Sequence, residues 1–461
     1  MNTMRWLMAG ILVPGFVPTA VGALFVDGFE SSGNVCAVPA HFASGLSPSH
    51  VLHVATGGND SIGNGSSTQP FATVVRAAQV ALPGAAIVIH PGTYAGGQFV
   101  ADLRGTAVAP IWVGGMAGQP RPVIEGGSNG IQFSRPAYVV LHDILVRNAG
   151  ANGINIDDGG QYADPLAAHH VVVERLDIRD IGGGGNQDCL KISGLNDFQI
   201  RDSHFQNCGD GGSGIDFVGG HRGLVHGNVL IDIGGSGVQT KGGSSDIDIH
   251  ANRFINGGSR ALNMGGSTGL EFFRPPLSGS HSNAEARRIR ALSNLFVGSA
   301  QAPLNFVGCV DCVAAHNTIV NPGTWLVRVL QETGSQGGHV FEPTRNGLVQ
   351  NNLFVFQRSQ VTSSGVNVGS GTDASSFVWI NNLFHAPDQP ANSLPNLPGT
   401  VSGSLAGVDP GITPPDYRIA PDSPAAGSGV TLDARLGDLG GACFADPPSR
   451  GAWEADTPAM Q

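Results

Sequence analysis

Only two lysines, Lys191 and Lys241, stand among the 24 basic residues of this 461-residue chain, and all the others are arginine. Arginine does not give up its proton near neutral pH whereas lysine can, so the two positions that keep lysine are where base chemistry is to be sought. Lys191 lies in the triplet Leu190-Lys191-Ile192, and three later triplets share its form: Ile215-Asp216-Phe217, Val238-Gln239-Thr240 and Leu262-Asn263-Met264. Their central residues follow one another at intervals of 25, 23 and 24. Side chains alternate along a strand, so flanking residues that face a core turn Lys191, Asp216, Gln239 and Asn263 outward together. Lys241, two places after Gln239, shares that face, and the pairs Gly219-Gly220, Gly242-Gly243 and Gly265-Gly266 leave little bulk beyond it. The pattern predicts a polar groove with a lysine in it.

Such a groove suits an acidic glycan. Eliminating across a glycosidic bond needs a base for the proton α to a uronate carboxylate, and polar groups that neutralise that carboxylate. Lys241 is the candidate base and Arg260, one coil later, the candidate second catalytic cation. Lys191, Asp216, Gln239 and Asn263 are the candidate substrate-binding residues. Two other chemistries compete. Asp188, Asp210 and Asp216 could supply the carboxylate pair of a glycoside hydrolase, or could hold Ca2+, a hard cation that takes several oxygens. Arg201, His226 and His250, spaced 25 and 24 apart, form a further outward column whose imidazoles could bind substrate or move protons, or could simply stack. The plainer alternatives are a surface ion pair between Lys191 and Asp216, loop aspartates that only form turns, and a groove that binds glycan without cutting it.

The elements that must position these residues follow from composition and repeats. The chain has 69 Gly, 29 Pro, 41% hydrophobic and 13% charged residues, which implies many turns around a large core. A net charge of −11 with dispersed arginines argues against a nucleic-acid partner. A short phrase recurs at Asp202-Ser203-His204-Phe205, Gly227-Asn228-Val229-Leu230 and Ala251-Asn252-Arg253-Phe254, 25 and 24 residues apart, and returns around Asn294, Asn317, Asn352 and Asn382 at longer intervals. Leucine-rich repeats would need a Leu-x-x-Leu-x-Leu frame, and propeller blades need longer units of roughly 40 to 50 residues. What remains is all-β: a single-stranded parallel β-helix, with Asn228 and Asn252 stacked at a bend whose left-handed backbone asparagine tolerates.

Flanking segments complete this reading. A short helix over about Thr73 to Ala81 is expected to cap the open end of the first coil. Residues 1–23, with Arg5, an apolar run and Val21-Gly22-Ala23, read as a secretory signal. Residues 24–50 then form an N-terminal extension, 51–400 the β-helix and 401–461 a segment packing on it. Six cysteines suit an exported protein, with the pairing left open. The expected partner is an extracellular polysaccharide met by a soluble monomer, with no nucleic acid and no membrane.

Gly58-Asn59-Asp60, the turn Pro91-Gly92-Thr93-Tyr94, the Asn-x-Phe repeats and Ser423-Pro424-Ala425-Ala426-Gly427 together resemble bacterial secreted right-handed parallel β-helix proteins related to polysaccharide lyases. The resemblance spans roughly residues 51 to 454. It implies the right-handed fold and, more loosely, pectate, alginate or chondroitin lyase-like activity, with glycoside hydrolases of the same fold as alternatives. In the chondroitin and alginate lyases a lysine base is paired with an arginine from the next coil, which is what assigns Arg260 to Lys241. Asn186-Gln187-Asp188-Cys189 is similar to a polygalacturonase phrase but lacks its doubled aspartate.

Overall fold

The computed structural model describes residues 36, 38–182, 187–209, 211–432 and 436–455. The signal read over 1–23, Asn186 and Asp210 lie outside these residues. Strands pair in parallel across coils to build three sheets of 14, 10 and 12 strands. One coil runs Ser213–Val218, His221–His226 and Val229–Ile231, and the next repeats it as Ser236–Lys241, Ser244–His250 and Arg253–Ile255. The first strand of each coil belongs to the 10-stranded sheet, called here the groove sheet. The second belongs to the 14-stranded sheet, called the histidine sheet.

Alternation decides what the coils enclose. Leu190, Ile192, Ile215, Phe217, Val238, Leu262 and Met264 all point inward and are buried. Aromatic residues of the recurring phrase stack coil on coil, with ring centroids 4.6 Å apart for Phe254 and Phe296 and 4.8 Å for Phe354 and Phe384. Each buried side chain of this size contributes roughly 1.5–3 kcal/mol. The same face repeats through a rod, so a single core runs the length of the coils.

The recurring asparagines form an amide ladder. Asn228 Nδ2 donates to Asn252 Oδ1 at 3.0 Å, Asn252 to Asn294 at 3.0 Å and Asn294 to Asn317 at 3.0 Å, with Asn352 and Asn382 continuing it. The left-handed backbone falls on the residue before each asparagine: Gly227, Ala251, Ser293, His316, Asn351 and Asn381 have φ between 51° and 66°. The asparagine is therefore retained for its side-chain amide, which satisfies buried backbone groups, and the strained corner is carried one position earlier.

Both ends are covered. The helix spans Val74–Val80, with Thr73 as N-cap accepting from Arg76 N and with Val74 and Ala77 buried. Asp60 fixes the cap by accepting from Ala72 N at 2.7 Å and from the Thr73 hydroxyl at 2.8 Å. After the last strand, Leu405–Ala406, the chain folds back so that Arg450 donates to Asn382 O and Gly451 N to Asn351 O. Three disulfides join Cys36 to Cys443, Cys189 to Cys208 and Cys309 to Cys312. No helix among the described residues is long and apolar enough to cross a membrane.

Candidate active site

The outward column of the groove sheet is longer than the four residues read from the sequence. Register places Gln132, Asn155, Lys191, Asp216, Gln239, Asn263, Asn305, Arg328 and Asn367 in one line, all but Gln239 from an apolar-polar-apolar triplet such as Leu304-Asn305-Phe306 or Val327-Arg328-Val329. Each step is one strand spacing, about 4.8 Å. The signal that finds the first four residues also finds the other five. Insertions that lengthen the interval to 42 between Asn263 and Asn305 hide them from a search by fixed period.

Charge concentrates at the middle of the column. The Lys191 ammonium donates to Asp216 and stands 3.4 Å from Asp188 Oδ2. Lys241 Nζ lies 3.4 Å from the other oxygen of Asp216, which also accepts from Gln239 Nε2 at 3.3 Å. Gln239 in turn accepts from Asn263 Nδ2 at 3.0 Å. Asp188 and Asp216 are fully buried, whereas the side chains of Lys191 and Lys241 keep 18% and 13% of their surface. Burial, then the neighbouring Asp216 carboxylate, pushes Asp188 up to about 6. Burial works against the Lys191 ammonium, but the two carboxylates outweigh it and hold the group above the ordinary lysine range.

This geometry sorts the sequence candidates. Lys191, Asp216, Gln239, Asn263 and Lys241 share one face, as expected. Arg260 does not reach Lys241. It opens the strand Arg260–Gly265 in register with Ser236, five residues before Lys241, so the two cations come from opposite edges of the sheet. Arg260 pairs instead with Glu332 at 2.7 Å. His226 and His250 are in line with each other and with Arg201, but on the histidine sheet, away from the groove. His250 Nε2 meets Gly437 O at 2.7 Å under the C-terminal segment, so the His250 imidazole is covered. A calcium ion does not fit between Asp188 and Asp216, because the Lys191 ammonium already stands there. Among the described residues no group of three or more His, Cys, Asp or Glu could hold a metal.

The far edge of the groove is built by segments that sequence reading did not single out. Glu285, fully buried, accepts from Gly242 N at 2.9 Å, from Thr268 N at 2.9 Å and from the hydroxyls of Thr268 and Thr333 at 2.8 and 2.5 Å. It thereby fixes the turn that follows Lys241 and ties it to the two long connections, residues 266–285 and 331–347. Gly266 packs its backbone against the Lys241 stem, where an added Cβ would stand 3.2 Å from Lys241 Cβ. Arg274, four coils after Asp158 in the chain, reaches back to a buried ion pair with it at 2.6 Å, lying over the Tyr162 ring. Nothing in local sequence marks Glu285 or Arg274, since their partners are distant along the chain.

Residues 129–284 match the family described as right handed beta helix region. The chain is a right-handed parallel β-helix. Among solved structures this β-helix superposes on pectate lyase Pel9A with a TM-score of 0.54 and 17% identity, covering 90% of this chain and 98% of that one. Other similar structures are the GH136 lacto-N-biosidase from Eubacterium ramulus (TM-score 0.49, 13% identity, 77% and 67% coverage) and an alginate lyase from Paenibacillus sp. str. FPU-7 (0.45, 17%, 78% and 99%). No curated protein sequence matches the chain. At these identities the likeness establishes the fold, and the chemistry must be argued from the groove.

Proposed function

We propose that the protein cleaves an acidic, uronate-containing polysaccharide by β-elimination, with Lys241 as the base. The observation that carries this reading is the arrangement of two lysines on one buried carboxylate. Lys191 is held charged by Asp216 and Asp188 together, while Lys241 has a single longer contact to Asp216 and stands at the glycine-lined end of its strand. Lys241 is thus the amine placed to take a proton, and Lys191 the fixed cation beside it. Gln239 and Asn263 offer amides along the same column for the uronate carboxylate. In the reaction the neutral amine of Lys241 removes the proton α to the carboxylate, the electrons of that C–H bond form a carbon–carbon double bond, and the glycosidic oxygen leaves with the bonding electrons and takes a proton from water.

A hydrolase needs two carboxyl groups presented to the sugar about 5 to 9.5 Å apart. Asp188 and Asp216 are buried and turned toward Lys191, which favours a counter-charge role for both. The likeness to pectate lyase Pel9A supports a carbohydrate substrate, and three disulfides support work outside the reducing cytoplasm. The deciding experiment is a panel of uronate polymers, among them polygalacturonate, alginate and chondroitin, followed by ultraviolet absorption of the unsaturated product. Absorption on one of them is the expected result. New reducing ends without absorption would make the enzyme a hydrolase, and binding without either would make it a glycan-binding protein.

A further inference from the structure

We infer that Glu332 is an internal stand-in for the substrate carboxylate, resting on the guanidinium of Arg260 beside that of Arg328, and that an acidic glycan binds by displacing it. This rests on the reading of the groove as the binding site for an acidic polymer. It adds the position of an anion subsite and the residue that guards it.

Arg260 and Glu332 approach from opposite sides of the sheet. Arg260 stands three residues before the column residue Asn263, the same offset as Ser236 before Gln239 and Asp188 before Lys191. Both of those equivalents turn onto the outward face, since Ser236 Oγ donates to Gln239 and Asp188 pairs with Lys191. Glu332 lies two residues past the end of the strand Val327–Leu330, two coils higher. Their ion pair therefore crosses the column at Asn263 and Asn305. These two asparagines occupy outward positions, yet they are only 1% and 0% exposed.

The polar groups below and beside this crossbar are poorly used. The side-chain oxygens of Asn263 and Asn305 are buried without a hydrogen-bond partner. Arg328, the next column residue, is held by Gln301 Oε1 at 2.7 Å and Asn367 Oδ1 at 3.1 Å, over the Trp325 ring at 4.6 Å. Among the described residues no carboxylate lies within ion-pair distance of it. Gln301 directly precedes Ala302, the register partner of Arg260, so its bond turns the Arg328 guanidinium toward the edge where Arg260 stands; burial and then the charge of Arg260 lower the Arg328 pKa. Glu332 pairs with Arg260 alone, its only hydrogen-bond partner among the described residues, and leaves Arg328 a cation without a paired carboxylate. A cleft of about 370 Å³, lined in part by Ser364, Asn367 and Asn396, opens next to Arg328 and gives a polymer somewhere to continue.

A uronate or sulfate group that reached Arg260 and Arg328 would replace one carboxylate with another. Its ring hydroxyls could donate to Asn263 and Asn305, and its apolar face could lie on Trp325. The competition has a measurable consequence. In a Lys241→Ala background that prevents turnover, Glu332→Gln is expected to bind at least one of polygalacturonate, alginate or chondroitin roughly two- to fivefold more tightly, the range an exposed ion pair sets. Affinity electrophoresis reads this directly, with neutral galactan as a control that should not change. Arg328→Gln should weaken binding of the same polymer. Equal or weaker binding of every acidic polymer by the Glu332→Gln protein, or no binding of any of them, would overturn the inference. Tighter binding by that variant, combined with no unsaturated product from the native enzyme, would instead remove the elimination reading and leave the subsite standing.

Discussion

The groove sheet and the histidine sheet are made from the same coils, and each presents an outward polar column, yet these two columns do opposite work. On the groove sheet, Lys191, Asp216, Gln239 and Lys241 meet as ammonium, carboxylate and amide at the edge of solvent. On the histidine sheet, His142, Glu174, Arg201, His226 and His250 follow one another in register, and the upper members are sealed under a terminal segment. His250 Nε2 must donate to the carbonyl of Gly437, so its Nδ1 accepts, and the proton between the two rings belongs to His226. Stacking alone makes a column; what lies over the column decides whether it can be a site.

The largest expected effect breaks the comparison through activity. Lys241→Ala and Lys241→Arg should each lower turnover about 10²- to 10⁴-fold, because arginine retains the charge but cannot serve as the base. His226→Asn, on the other column, should change turnover less than about twofold, roughly the limit at which an effect registers as chemistry. A Lys241→Arg enzyme as active as the native one would end the base assignment.

Stability gives the next contrast. Lys191→Met leaves Asp188 buried without a cation and Asp216 with only its longer contact to Lys241, and should cost about 3–5 kcal/mol in denaturant unfolding. A loss under about 1 kcal/mol would mean that the pair is surface-like despite its burial.

Acid should then separate the two faces by sign. Burial, opposed by the Gly437 carbonyl, lowers His250 to about 3, against about 6.5 in an unfolded chain. The unfolded state takes up the proton first, so this contribution is complete above pH ~6.5 and is lost as pH falls, about 3 kcal/mol by pH 4. Asp188 runs the other way: pushed up to about 6, it binds its proton more tightly when folded. Its contribution therefore improves as pH falls from about 6 toward 4, by up to about 2 kcal/mol. Unfolding curves of His250→Asn and Asp188→Asn should flatten these two slopes separately, and a common slope in both variants would contradict the assignment.

The columns were legible in the sequence because strand parity and coil length are local properties. Leu190-Lys191-Ile192 and its successors needed no knowledge of tertiary contacts, and neither did the stacking of Asn228 on Asn252. What sequence spacing could not supply was the position of a residue along its strand and the identity of what covers it. Arg260 was placed one coil after Lys241 and ahead of its strand, but the spacing could not say that its partner is Glu332, 72 residues on. The covering of His250 depends on Gly437, 187 residues beyond it. Glu285, Arg328 and Glu332 depend on the long connections that interrupt the period.

The corners of the coil differ in how much length they accept. From the strand Ala137–His142 onward, every crossing from the histidine sheet to the third sheet takes two residues, as in His142 to Leu145, His226 to Val229 and His250 to Arg253. Crossings from the groove sheet to the histidine sheet range from one residue after Ser193 to twenty after Gly265. The amide ladder at the first corner leaves no slack, whereas the second can lengthen without disturbing the coils above or below. Insertions and deletions are thereby channelled to the bank of the groove beside Lys241, so a lineage can try new rims, and with them new polymers, while inheriting the same rod.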